Sequence, residues 1–315
     1  MTEAHAASPA PVFVYGALRS GTTVFRLMLN SHPGIANPGE VDFLFDHLHP
    51  DPAAPDGWRY DRAALVADRI FGNFDLDLPS TLDGLDLLGH MIEGLRPEGR
   101  SVLTLNIHRH ADKIAAALPE ARFIHLLRDP RDVARSAIGM GWVGHSYFGA
   151  KFWLKTELGW DQAEIAEDRV LTLSFETLMA EIDPELHRVC AFLGVPFDPQ
   201  MLEYYHGTNF APPDPKIAFS WKRKATPHEV ALIEGRVGPL LEARGYVPNG
   251  APHIPGPVER MTLMARNKMQ RWRFNMRRYG AGLFLSTHLA RMAGLRSLHQ
   301  RLRQRQEDIR AITRK

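Results

Sequence analysis

Val12-Phe13-Val14-Tyr15-Gly16-Ala17-Leu18-Arg19-Ser20-Gly21-Thr22-Thr23 runs four strand-forming residues into a glycine loop. An apolar helical run, Val24 to Leu29, follows directly. Strand, glycine loop and helix start, in that order, make a cradle for one anion. The loop N–H groups point at it and the helix dipole favours its charge. The nucleoside triphosphatase version of this cradle has Gly, four residues, Gly, Lys and then Ser or Thr. Gly16 and Gly21 keep that spacing, but Thr22 stands where the lysine belongs, and the nearest cation is Arg19, inside the loop. In triphosphatases the lysine serves the outer phosphates. Its absence argues against ATP or GTP hydrolysis and leaves a phosphate-type anion as the expectation. An ordinary strand-to-helix turn would account for the glycines but not for the Arg-Ser-Gly-Thr-Thr run.

A second cluster lies mid-chain. Phe123-Ile124-His125-Leu126-Leu127 reads as a buried strand of a parallel sheet, and Arg128-Asp129-Pro130-Arg131-Asp132-Val133-Ala134-Arg135-Ser136 follows at once. Asp129 suits a helix N-cap and Pro130 the first turn. Arg128 then stands at the carboxyl end of a strand, where open α/β sheets bind ligands. Ser136, two turns into the next helix, lies on roughly the face that looks back at Arg128. A cation and a hydroxyl converging on one point suit a second phosphate. Alone, the segment would read equally well as a surface ion-pair network with Asp129 and Asp132.

Together the two segments resemble the sulfotransferases that use 3′-phosphoadenosine 5′-phosphosulfate (PAPS). In that family an Arg/Lys-Ser-Gly-Thr-Thr loop holds the 5′-phosphosulfate. A strand followed by Arg-Asp-Pro-Arg-Asp-Val and a downstream serine holds the 3′-phosphate. Tyr15 to Thr23 and Phe123 to Ser136 match in order and spacing. Flanking matches are Pro119-Glu120-Ala121-Arg122, the strand and acidic turn from Leu171 to Leu178, and the helix end from Cys190 to Pro196. Ser220-Trp221-Lys222, with a helix ending at Gly245-Tyr246, resembles the family's C-terminal segment. The resemblance covers roughly residues 10 to 248 and is nearest to bacterial and carbohydrate-type members. It implies PAPS as co-substrate, with 3′-phosphoadenosine 5′-phosphate as product. Arg19, Ser20, Gly21, Thr22 and Thr23 would grip the phosphosulfate, and Arg128 and Ser136 the 3′-phosphate. Trp221 and Lys222 lie where relatives fold a segment over the nucleotide.

The expected fold is α/β, a three-layer arrangement with a central parallel sheet, P-loop NTPase-like, plus a helical basic C-terminal extension. Expected strands are 12–15, 101–105, 122–127 and 169–174. Expected helices lie near 22–31, 40–49, 61–72, 82–95, 109–118, 130–139, 147–159, 184–194 and 227–244. Thr226, Pro227 and Glu229 form a capping-box start for the last. Residues 50–57 and 248–257 are proline-rich and read as loop or linker. The domain reading is a flexible N-terminus at 1–11, a catalytic domain at 12–248, a linker at 249–257 and the extension at 258–315. The single cysteine, Cys190, excludes an intramolecular disulfide, fits a reducing compartment and reads as a buried structural thiol. No apolar run is long enough to span a bilayer, so a cytoplasmic enzyme is expected.

Charge changes abruptly along the chain. Residues 258–315 hold 15 Lys and Arg against 3 Asp and Glu, whereas residues 1–257 hold 23 against 33. The total of +2 therefore hides a basic tail on an acidic body. Three readings of the tail stay open: docking on the catalytic domain or a second subunit, peripheral contact with the inner face of an anionic membrane, and attraction of an acidic acceptor. Nucleic acid is disfavoured, because no recognised nucleic-acid module accompanies the charge.

Sulfuryl transfer makes demands like those of phosphoryl transfer: reacting oxygens in line and stabilised charge on the moving group. Neither phosphate role calls for a metal, and no His/Cys cluster has zinc spacing. An acceptor hydroxyl needs a general base. Glu40, just after the His32-Pro33 break, is the preferred candidate, since relatives place a glutamate base in a similar segment. Its alternative role is a first-turn carboxylate facing the dipole of the next helix. His108, in Asn106-Ile107-His108-Arg109-His110, is the rival base. Relatives carry Lys-Thr-His or Lys-Thr-Pro at that point. The function so read is sulfuryl transfer from PAPS to a hydroxyl, or an amine, of a small molecule, glycan or lipid. A P-loop kinase and a non-catalytic nucleotide-binding or membrane-associated scaffold are the alternatives. The acceptor pocket is expected from residues 40–100 and 140–165, the segments least like the family.

Overall fold

The computed structural model describes residues 10–206, 208 and 210–312. Its strands are β1 Val12–Tyr15, β2 Ile35–Ala36, β3 Leu48–Pro50, β4 Trp58–Tyr60, β5 Val102–Ile107, β6 Arg122–Leu127 and β7 Val170–Ser174. The first helices are α1 Thr22–Ser31, α2 Phe43–Asp46, α3 Arg62–Val66, α4 Gly84–Gly94 and α5 Ala111–Ala117. Then come α6 Pro130–Gly139, α7 Ser146–Asp161, α8 Phe175–Ala180, α9 Ile182–Leu193 and α10 Trp221–Lys224. The last are α11 Pro227–Val237, α12 Leu240–Ala243, α13 Pro257–Tyr279, α14 Ala281–Met292 and α15 Arg296–Ile312. The chain forms two compact units. One takes the chain up to Asp129 and resumes at Phe152–Ser220, and the other is Pro130–Lys151 with Trp221–Lys315.

The first unit holds a five-stranded parallel sheet of order β2-β5-β1-β6-β7. Alternation along β1 gives the sheet two greasy faces. Phe13 and Tyr15 point into a core shared with α4 and α5, through residues such as Leu87, Met91 and Ile114. Val12 and Val14 point to the other face, onto Phe25, Met28 and Leu29 of α1 and onto Leu186, Val189 and Leu193 of α9. The apolar positions of α1 and α9 recur three or four residues apart, so each helix lays one stripe on the sheet. Fully burying such a side chain contributes about 1.5–3 kcal/mol. Cys190 belongs to this second core, where burial pushes its thiol up to about 11, as the buried-thiol reading expects.

Three expected helices come out differently. The one expected at 40–49 is a single turn, α2, because its flanks are extended. Glu40 bridges to Asn106 of β5, and Leu48–Pro50 pairs antiparallel with β4. The helix expected at 61–72 stops at Val66, because the Asp68 carboxylate captures the N–H groups of Ile70 and Phe71 and turns the chain into a short 3₁₀ segment, Phe71–Asn73. The helix expected at 227–244 breaks at Gly238, where φ is 61° and Pro239 follows. Its capping box of Thr226 and Glu229 is present.

The second unit is helical. Arg131 of α6 and Glu234 of α11 form a buried ion pair at 2.6 Å, and Arg131 also donates to the Val247 carbonyl at 3.1 Å. The Arg131 guanidinium lies 3.9 Å over the Trp221 ring, and Asp132 accepts the Trp221 N–H at 2.8 Å. Farther on, Asn267 of α13 accepts the Gly144 N–H at 2.7 Å, and Trp272 meets Phe284 of α14 edge-on at 5.6 Å. Among the described residues no helix is long and apolar enough to cross a membrane.

Candidate active site at the Gly16–Thr23 loop

Two close approaches explain the loop's glycines. A Cβ on Gly16 would sit 2.7 Å from the Leu126 carbonyl oxygen of β6. Gly21 has φ 94°, and a Cβ there would lie 2.3 Å from the Phe175 ring. Between them the chain tightens, with Ser20 N–H donating to the Ala17 carbonyl at 2.9 Å. Arg19 adopts φ 76°, a left-handed conformation that costs a non-glycine residue of order 1–3 kcal/mol. Gly21 is the N-cap of α1 and supplies no side-chain acceptor, so the first N–H groups of the helix open onto the loop. The Ser20 hydroxyl is buried and has no hydrogen-bond partner among the described residues. A buried donor left so is costly, and an anion's oxygen in the loop would satisfy it. The residues present therefore fit a phosphate-type group.

Two guanidiniums meet at this loop. Arg128, at the carboxyl end of β6, donates from Nη1 to the Arg19 carbonyl at 3.0 Å and lies 4.3 Å over the Phe175 ring. Burial first, then the charge of Arg128, holds the Arg19 guanidinium below its ordinary value, with Glu40 opposing. Two like charges held this close lower the energy of any anion between them. The turn after β6 is clamped by Glu176, which accepts from the Asp129 N–H and from the Ser174 hydroxyl, both at 2.9 Å. Burial pushes the Glu176 carboxyl up in spite of those bonds.

Opposite the cations stand Glu40 and His108. His108 Nδ1 lies 2.7 Å from the Gly16 carbonyl oxygen. A carbonyl only accepts, so Nδ1 carries the proton and Nε2 turns to Glu40, 3.6 Å from Oε1. The His108 N–H donates to Asp42 at 2.9 Å. Burial works against the imidazolium, but Glu40 and Asp42 outweigh it, and His108 titrates above its ordinary 6.5. The His108 side chain is enclosed, whereas that of Glu40 is 47% exposed. A raised folded value means that His108 contributes stability fully below about pH 6.5 and loses it as pH rises through the raised value. His108→Gln should therefore flatten the decline of Tm as pH rises above about 6.5 relative to the parent; unchanged curvature would contradict the pairing.

Backbone pairing sets the position of Glu40. Asn106 N–H donates to the Gly39 carbonyl, and Val41 N–H to the Asn106 carbonyl. The buried Asn106 side chain donates to the Thr22 carbonyl at 3.2 Å and accepts from Asn37 Nδ2 at 2.9 Å. Asn37 Oδ1 in turn accepts the Gly39 N–H at 3.0 Å. This amide chain links the first turn of α1 to the strand that carries Glu40. Asn106→Leu should cost about 1–3 kcal/mol, the price of stranding the Asn37 amide and the Thr22 carbonyl, read as a lower denaturation midpoint.

Arg19, Ser20, Gly21, Thr22, Thr23, Glu40, His108 and Arg128 are thus all in the first unit. Ser136, Trp221 and Lys222 are in the second, grouped about α6: Ser136 follows Asp132 by one turn, and Asp132 holds Trp221. Trp221 is buried at 4% exposure under Arg131, while Lys222 is exposed. Residues that sequence reasoning missed are the supports: Asp42, Asn37, Asn106, Phe175 and Glu176. Arg109 was likewise unassigned; its guanidinium forms an ion pair with Asp46, which also meets His110 Nε2 at 2.8 Å. Burial would raise the Asp46 carboxyl, but the hydrogen bonds from His110 and Arg109 hold it far below the usual range. The pairing absorbs the cation nearest His108 into the scaffold. The available signal was Asn106, an amide in a mostly apolar strand.

The profile of the sulfotransferase family matches residues 11–199, more than half of the chain. Protein-tyrosine sulfotransferase A of Caenorhabditis elegans is 22% identical over 268 residues, covering 76% of this chain and 68% of that protein. An uncharacterized protein of Aquifex aeolicus (strain VF5) is 25% identical over 226 residues, and the match spans 63% of this chain but only 27% of that protein's length. Among solved structures, the sulfotransferase domain from the curacin biosynthetic pathway superposes with a TM-score of 0.54 at 20% identity, covering 76% of this chain and 98% of that domain. That likeness carries the fold: a parallel sheet with a glycine loop after its central strand. With the profile covering more than half of the chain, both arginine-bearing segments included, the chain belongs to the sulfotransferase family.

Proposed function

We propose that this protein transfers a sulfuryl group from PAPS to an acceptor hydroxyl by in-line displacement, with Glu40 as general base. The observation that carries the proposal is the gathering of Glu40, His108, Arg19 and Arg128 around one glycine loop whose buried Ser20 hydroxyl lacks a partner. Glu40 takes the acceptor proton as the new O–S bond forms. The S–O bond to the 5′-phosphate breaks, and Arg19, with the loop N–H groups, receives the charge that collects on the leaving phosphate. His108, already carrying a proton on Nδ1 and titrating high, is better suited to steady the Glu40 carboxylate than to compete with it as base. Arg128 serves the nucleotide; Ser136 and Lys222, nucleotide contacts on the resemblance, belong to the second unit. Trp221, held under Arg131, would act by supporting α6 and Lys222.

The acceptor belongs to the hydroxyl class: small molecule, glycan or lipid, with an amine second. The C. elegans relative's name adds the phenol of a tyrosine to that set. Residues 12–248 form the catalytic part on this reading. The enzyme is cytoplasmic, and residues 258–315 are where a second copy or the inner face of a membrane would be met. The test is transfer of labelled sulfate from PAPS across sugars, phenols, sterols, lipids and tyrosine peptides, preceded by a melting shift with 3′-phosphoadenosine 5′-phosphate. Stabilisation by magnesium-ATP and not by that nucleotide would favour a kinase. Binding without transfer to any acceptor would favour a scaffold.

A further inference from the structure

The last three helices line an open cavity of about 440 Å³ that lies wholly in the second unit. That volume is in the range of small-molecule sites, about 300–1,000 Å³. Each helix lines it with one stripe. Arg271 and Tyr279 lie two turns apart on α13. Thr287, His288 and Arg291 share a face of α14, and His299 and Arg303 share a face of α15. Gln306 Nε2 donates to the Thr287 hydroxyl at 3.1 Å and ties α15 to α14 across the cavity. Among the described residues that line it, Glu307 is the one carboxylate, against three guanidiniums and two imidazoles.

Helices that pack only on one another do the opposite. They turn apolar stripes inward and leave charge in water. Here the outward stripe of α14 is apolar: Leu285 is 40% exposed, Leu289 63% and Met292 72%. Like charges gathered around one open groove repel even where solvent screens them, and an anion bound among them relieves that repulsion. Guanidinium forks match the oxygens of a phosphate group bidentately, and imidazoles add donors when protonated. Asn275 and Tyr279 supply further hydrogen-bonding groups, and the Phe284 ring an apolar wall.

We infer that this cavity binds the phosphate group of an organic phosphate ester, offered either free in solution or as the headgroup of an anionic lipid. The site is built from residues 271–307 and takes nothing from the Gly16–Thr23 loop. The test uses the full chain at about 0.15 M salt, where diffuse surface attraction is screened. One arm titrates pyrophosphate. The other measures sedimentation with phosphatidylcholine vesicles with and without phosphatidic acid. The cavity variant is Arg271→Gln/Arg303→Gln. The control is Arg301→Gln/Arg305→Gln, which removes the same charge from exposed positions of α15 outside the cavity. Should the cavity variant lose its cooperative melt, the exposed Arg291→Gln takes its place. The expected result is binding by parent and control, weakened at least roughly tenfold in the cavity variant. Binding of pyrophosphate without preference for phosphatidic acid assigns a soluble ester. Vesicle binding alone assigns the lipid headgroup. No binding in either arm, or equal loss in both double variants, overturns the inference. Sulfuryl transfer is not the readout, so failure here leaves the loop reading untouched.

Discussion

Glu40→Gln is expected to lower kcat by roughly 10²–10⁴, the range that a positioned general base contributes. Affinity for 3′-phosphoadenosine 5′-phosphate should not fall, because a carboxylate adds no hydrogen bond to an anion and its charge opposes that of Arg19. The amide keeps the side chain's size and removes only its ability to take a proton. The same variant should lower the titration of His108, since Glu40 is one of the two carboxylates that raise it. Imidazole proton shifts measured against pH report this directly. His108→Gln, by contrast, should leave a base in place and produce a smaller loss. If His108→Gln abolished transfer while Glu40→Gln left it intact, the base would be His108, and the assignment of Glu40 would be reversed.

That assignment was half legible in the sequence. The loop was plain because its chemistry is local: four strand residues, two glycines at fixed spacing and a helix start lie within twelve consecutive positions. The helix α1 fell at 22–31 as expected, and so did the strand at 122–127. Glu40 was harder. Its neighbours Phe43, Leu44 and Phe45 read as helix, and only the parallel bridge to Asn106, a partner 66 positions away, draws residues 39–41 into an extended run instead. Long-range pairing of this kind leaves no local pattern. With Glu40 outside α2, the alternative of a first-turn carboxylate loses its ground, because Asp42 is the N-cap and Phe43 begins the helix.

The supports of the site were illegible for a related reason. Glu176 looked like the acidic turn after a strand, and it is; that its carboxylate grips the Asp129 N–H depends on β6 and β7 lying side by side. Phe175 was legible only as part of the strand and acidic turn from Leu171 to Leu178. In the fold its ring sits against both Gly21 and Arg128, so one aromatic fixes how closely the loop and the second arginine approach. Phe43, Phe45 and Trp153, within the segments expected to build the acceptor pocket, are fully buried side chains.

Arg19→Ala is expected to cost about 10²–10³ in kcat, the loss seen when one preorganised donor to a developing oxyanion is removed. Arg19 is the cation inside the loop, half-desolvated and held in a left-handed backbone conformation that is uncommon for a residue with a side chain. Strain at such a position persists when the surrounding structure holds it, and here the Arg128 fork on the Arg19 carbonyl does so. Removing the side chain keeps that carbonyl contact, so folding should survive and the defect should be chemical. Arg128→Ala should behave differently. It frees the Arg19 carbonyl and uncovers Phe175, so nucleotide affinity and the melting temperature should fall together. Arg19→Lys should recover part of the rate, since a point charge stabilises the leaving phosphate without the fork's second bond. Equal effects of Arg19→Ala and Arg128→Ala on kcat, with no change in stability for either, would mean that Arg128 does not hold the loop and that both arginines act only as charges.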